Sequence, residues 1–126
     1  MDIKQQPLKK LADAFEGLTG VDYKDGIRRI AGNADLYTEL LQLFFNDDGM
    51  TRLLSALESG DKEGAHREAH SLKGTAANLG LSSLSKLAAT LDSALKDADT
   101  TPAQAIKLTQ KLEAEYRFTQ TIVDRL

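Results

Sequence analysis

A chain of 126 residues with a formal charge of −3 and no cysteine has enough length for one buried core, and it excludes disulfide staples, thiolate catalysis and sulfur-ligated zinc. The basic residues are scattered rather than concentrated on one stretch, so no nucleic-acid partner is expected, and no apolar run approaches the roughly 20 residues of a membrane span. Met1-Asp2-Ile3-Lys4 lacks the apolar segment of a signal peptide, so a cytoplasmic location without direct membrane contact is expected, for a free-standing protein or for a piece of a larger membrane-anchored one.

Leu8, Leu11, Ala12, Phe15 and Leu18 recur at three- and four-residue steps, which predicts an amphipathic helix over 3–17 that ends before Gly17 or Gly20. This leading segment, 1–20, is expected to pack on one end of the fold. Asp22 is a plausible N-cap for a short helix through Ile30, and Gly32-Asn33 supplies the break after it. Leu36, Tyr37, Leu40, Leu41, Phe44 and Phe45 then give an apolar face whose period continues through Met50, Leu53, Leu54 and Leu57. Despite the turn-forming Asn46-Asp47-Asp48-Gly49, a near-continuous helix over 34–58 is expected, stopped by Ser59-Gly60. Asp61 caps a helix over 62–79, with Gly80 as its left-handed terminator. Leu84, Leu87, Ala88, Leu91, Ala94, Leu95 and Ala98 line a helix over 82–98. Thr101-Pro102 opens a last one over 102–125 that carries Ala105, Leu108, Leu112, Tyr116, Thr119, Ile122, Val123 and Leu126. Strands are hard to find in this pattern, and there is no internal repeat. Helices with one apolar face each and short connections bury those faces only against one another. The expected fold is therefore all-α, one domain over 1–126. It is an antiparallel up-and-down four-helix bundle within 22–125, with extra short N-terminal helices.

Within the helix over 62–79, Ala65, Ala69, Leu72, Ala76 and Leu79 form a narrow apolar stripe, and His66, His70, Lys73, Gly74 and Ala77 share a different face. His70 is thereby expected to point away from the core. Lys73, one turn later, leans back toward its imidazole, and Gly74 leaves the adjacent position without a side chain. Glycine inside a helix costs about 0.5–1 kcal/mol relative to alanine, so its placement calls for a close approach. A solvent-facing imidazole, a neighbouring cation and a cleared approach are what a histidine needs to accept and hold a phosphoryl group.

His70-Ser71-Leu72-Lys73-Gly74 followed by Gly80 resembles the signature of the histidine-containing phosphotransfer (HPt) domains of multistep two-component phosphorelays. The resemblance extends to Gly26 through Tyr37 and to Leu40-Leu41-Gln42-Leu43-Phe44, which look like the helix-turn-helix preceding the histidine helix in bacterial members, and in all it covers roughly residues 22–98. It implies that His70 takes phosphate from the aspartate of a receiver domain through its distal ring nitrogen, with Lys73 stabilising the phosphorylated ring. It implies a carrier rather than a kinase, acting with response-regulator receiver domains or a hybrid sensor histidine kinase, as a monomer, without a cofactor of its own because Mg2+ comes with the receiver. The chain carries neither a Walker-type phosphate loop nor a sensor-kinase ATP module beside the histidine, in keeping with that role. The leading helix is variable in the family. Some members orient the imidazole with a polar residue of the following helix; here that region offers Ser82, Ser83, Ser85, Lys86 and Asp92, and none of them clearly matches.

Other readings of the same residues stand beside this one. His66 lies one turn before His70, a spacing at which two imidazoles can share a metal, with Glu63 a turn earlier, but Lys73 would repel the cation and no metal is expected. His66 is taken as a flanking surface residue, and with Arg67, Ala77 and Lys86 it is expected among the partner contacts. A helical interaction module without chemistry is the remaining alternative.

Overall fold

The computed structural model describes residues 6–126, which form seven helices and no strand. They are α1 (Gln6–Phe15), α2 (Tyr23–Arg28), α3 (Ala34–Asn46), α4 (Gly49–Glu58), α5 (Lys62–Asn78), α6 (Ser82–Lys96) and α7 (Pro102–Val123). The expected start of the first helix at residue 3 lies outside the described residues. Local chemistry sets most boundaries. The side chains of Asp22, Asn33 and Asp61 accept from the backbone N–H groups of Asp25, Leu36 and Gly64 at 3.1, 3.0 and 2.9 Å. Thr101 and Gln104 form a reciprocal capping box ahead of α7. Each such cap satisfies a donor that the first turn leaves unpaired, worth about 1 kcal/mol.

The expected continuous helix over 34–58 is two helices. Asp47 is extended (ψ 149°), and its carboxylate accepts from the Gly49 N–H at 2.9 Å, drawing that donor away from the Phe45 carbonyl it would meet in an unbroken helix. The Phe45 carbonyl is taken up instead by Tyr116 Oη at 3.3 Å and Gln120 Nε2 at 3.1 Å, both from α7. The apolar period survives the break because α4 restarts with Met50 and Leu53 still buried.

α5 packs against α4 on one side and α6 on the other, and α6 packs against α7. Ala65, Ala69 and Ala76 are fully buried, so small side chains line the stripe by which α5 meets its neighbours. The Ser85 hydroxyl donates to the Lys73 carbonyl at 3.0 Å, while His66 stands against Asp92. As the α5 position rises from 66 to 73, its α6 partner falls from 92 to 85, so these two helices run in opposite senses. α1 packs on α2 and α3.

The C-terminal end of α5 is held from outside. Tyr37, fully buried, donates through its hydroxyl to the Leu79 carbonyl at 2.5 Å, and the Asp22 N–H donates to the Gly80 carbonyl at 2.7 Å. Gly80 has φ +71°, and a Cβ there would run into the Asp22 carbonyl, so glycine is required both for the turn and for the close approach. Of the aromatic residues, Phe15, Tyr23, Tyr37, Phe44, Phe45 and Tyr116 are buried, and Phe118 is exposed.

Candidate functional site

The exposed face of α5 beside α6 gathers His66, His70 and Lys73 around one carboxylate, Asp92 of α6. Asp92 is 2% exposed, the one acidic or basic residue among the buried ones described. Its Oδ2 faces His70 Nδ1 at 3.2 Å, Lys73 Nζ at 3.3 Å and Lys96 Nζ at 3.8 Å, and its Oδ1 lies 2.9 Å from His66 Nε2. Burial pushes the Asp92 carboxyl up, but hydrogen bonds from His70 and Lys73, with the charges of His66 and Lys96, outweigh it and hold it below the ordinary carboxylate value. Asp92 is therefore an anion, and an anion only accepts. His70 donates to it through Nδ1–H, which leaves Nε2 as the unprotonated nitrogen of the neutral ring.

The His70 side chain is 60% exposed, and it projects where α5 leaves a bare surface. Gly74 is one turn on, and a Cβ placed there would meet nothing within 4 Å, so even a methyl group would not touch the ring. The clearance thus concerns side chains larger than alanine and whatever approaches from solvent. The clefts of about 530 Å³ lie elsewhere, one lined by Leu108 and Lys111 of α7 with Ala94 of α6 and one by Leu43 of α3 with Leu72 of α5. His70 stands on an open face suited to another macromolecule rather than in a small-molecule pocket.

His66, expected as a flanking surface residue, instead turns its Nε2 inward. Register explains this, since the turn of α5 before His70 comes opposite Asp92 on the antiparallel α6. His66 and His70 stack loosely, with ring centroids 6.1 Å apart. Lys73 reaches the same carboxylate oxygen as His70. Arg67 and Lys86 are not drawn into the cluster: Arg67 turns toward Glu63 at 3.9 Å, and Lys86 is exposed on α6. Ala77 is exposed one turn beyond Lys73. Although two imidazoles and a carboxylate converge, two lysine ammoniums share that carboxylate, and no group of three or more His, Cys, Asp or Glu among the described residues is arranged to hold a metal.

Asp92 is one of five polar candidates on the following helix among which the sequence offers no choice, and Lys96 is not among them. A signal was present. Asp92 falls four residues after Ala88 and three before Leu95, both buried, so it is a lone acid on the apolar stripe of its own helix.

Comparison with curated proteins and with solved structures finds no match to the chain. A model of the Hpt domain does match, over residues 39–120, which span α3 from Glu39 through most of α7 and include the whole of α5 and α6. With well over half of its length so matched, His70 and its surroundings included, the chain belongs to the Hpt domain family.

Proposed function

We propose that this protein accepts a phosphoryl group on His70 from the aspartyl phosphate of a receiver domain and passes it to another receiver in a multistep two-component phosphorelay. Hpt domains are phosphocarriers rather than autonomous kinases. The observation that carries the assignment to His70 is the anchoring of its Nδ1 on buried Asp92, which presents Nε2 to open solvent. The reading takes the bundle as antiparallel, with α3–α4, α5, α6 and α7 as its four members, supported by the opposite senses of α5 and α6. It places the carrier in the bacterial cytoplasm.

In the transfer, the Nε2 lone pair attacks phosphorus in line with the aspartyl oxygen. The N–P bond forms, the P–O bond to the receiver breaks, and the aspartate leaves as a carboxylate. The receiver's acidic pocket brings Mg2+, so this chain's residues need only position and neutralise. His70 keeps its proton on Nδ1, so the ring becomes formally cationic as the N–P bond forms, and the negative charge of Asp92 offsets that cation. Lys73, with a third of its side chain exposed, supplies positive charge beside the incoming phosphate. Because a phosphorylated imidazole retains a high transfer potential, the step runs in either direction.

Incubation with a phosphorylated receiver should place one acid-labile, base-stable phosphate on the protein, and His70→Gln should abolish it. Label retained by that variant would overturn the assignment.

A further inference from the structure

Resting on that reading, we propose that His66 is a positioning residue for phosphotransfer: by donating from Nε2 to Oδ1 of Asp92, it locks the carboxylate so that Oδ2 holds the His70 ring in its reactive tautomer.

Two buried polar atoms in this region have no hydrogen bond of good geometry, His66 Nε2 and Asp92 Oδ1, and they face each other at 2.9 Å. Among the described residues each is the recorded partner of the other's charge, at a separation that an N–H···O hydrogen bond spans. A carboxylate oxygen opposite a bare ring nitrogen would set lone pair against lone pair, so the contact requires a proton on Nε2 of His66. The other oxygen is crowded by comparison, with His70, Lys73 and Lys96 all directed at Oδ2. With Oδ1 unheld, the carboxylate is free to turn about its Cβ–Cγ bond toward either lysine, and the His70 Nδ1–H then loses its fixed acceptor. The nitrogen that carries the ring proton is set by the hydrogen bond the ring makes, so loosening Asp92 puts the proton on Nε2 in part of the population and blocks attack there. His66 does not compete as an acceptor of phosphate, because its Nε2 is inaccessible to solvent.

Long-range 1H–15N correlation of the histidine rings in the full-length, unphosphorylated protein reads each nitrogen directly. The expected result is a proton on Nε2 of His66 and, for neutral His70, a proton on Nδ1 with Nε2 bare. His66→Leu should give His70 a mixed tautomer and slow acceptance from a phosphorylated receiver roughly tenfold, the lower end of what an orienting partner is worth. His66→Gln, whose amide nitrogen reaches about as far as the imidazole Nε2, should restore both the tautomer and most of the rate. A bare Nε2 on wild-type His66, an unchanged His70 tautomer in a folded His66→Leu protein, or a folded glutamine variant slowed roughly tenfold from wild type would each overturn the proposal. The wild-type spectrum and the glutamine variant decide the matter even if His66→Leu does not fold. Wild-type protein with the expected ring protons that accepts no phosphate would refute the phosphotransfer reading and leave the positioning contact standing.

Discussion

Replacing Asp92 with asparagine removes one negative charge and keeps the side-chain volume, so it isolates what the anion contributes. Breaking a fully buried ion pair by deleting one partner costs about 3–5 kcal/mol. Here the carboxylate is buried, but Lys73, His70 and Lys96 keep 34%, 60% and 58% of their side-chain exposure, and water screens what they lose. The expected loss at pH 7 is therefore smaller, about 1–2 kcal/mol. The sign of its pH dependence follows from the lowered carboxyl value. A group whose affinity for protons falls on folding stabilises the fold above its unfolded value, near 3.9 for aspartate, and loses that contribution as the pH drops through the folded value. The gap between wild type and Asp92→Asn should be constant above about pH 5 and should narrow below about pH 4. Urea unfolding followed by helical circular dichroism at pH 7, 5 and 3.5 measures it. An asparagine carbonyl can still accept from His70 Nδ1, so acceptance of phosphate should fall less in Asp92→Asn than in Asp92→Leu, where a loss on the order of 10- to 100-fold is expected. Equal stability of wild type and Asp92→Asn at pH 7, or a gap that does not narrow in acid, would refute the claim that Asp92 is the anion of this cluster.

Gly74→Ala should be neutral or stabilising by up to about 1 kcal/mol, since its methyl group meets nothing, whereas Gly74→Leu should fold normally and slow transfer; transfer at the wild-type rate would make the glycine incidental. Gly80→Ala should destabilise by about 1–3 kcal/mol in thermal unfolding, because alanine must adopt φ +71° and its Cβ meets the Asp22 carbonyl. Charge reversal at Arg67 or Lys86 should weaken association with a receiver more at low salt than at high, while reversal at Lys107 or Lys111 of α7 should do little. Chemical-shift mapping with a cognate receiver checks that surface, and perturbations centred on α7 that spare His70 would place the docking face elsewhere.

Features that depend on residues a turn or two apart could be read directly from the sequence. The caps at Asp22, Asp61 and Thr101, the terminator Gly80 and the outward placement of His70 are all of this kind, because helix geometry fixes the spacing of such neighbours whatever lies beyond the helix. The break between α3 and α4 was only half legible. Asn46-Asp47-Asp48-Gly49 offers a turn, while the apolar period argues for continuity, and α7 weighs in by supplying Tyr116 and Gln120 to the Phe45 carbonyl. The orienting group could be narrowed to a few polar residues of the following helix, but local reasoning could not choose Asp92 among them. Asp92 is 22 residues from His70, and only the antiparallel packing of α6 on α5 brings its carboxylate between His66, His70 and Lys73. A buried charge needs donors from whatever packs over it, and the identity of those donors is a property of the helix interface rather than of either helix alone.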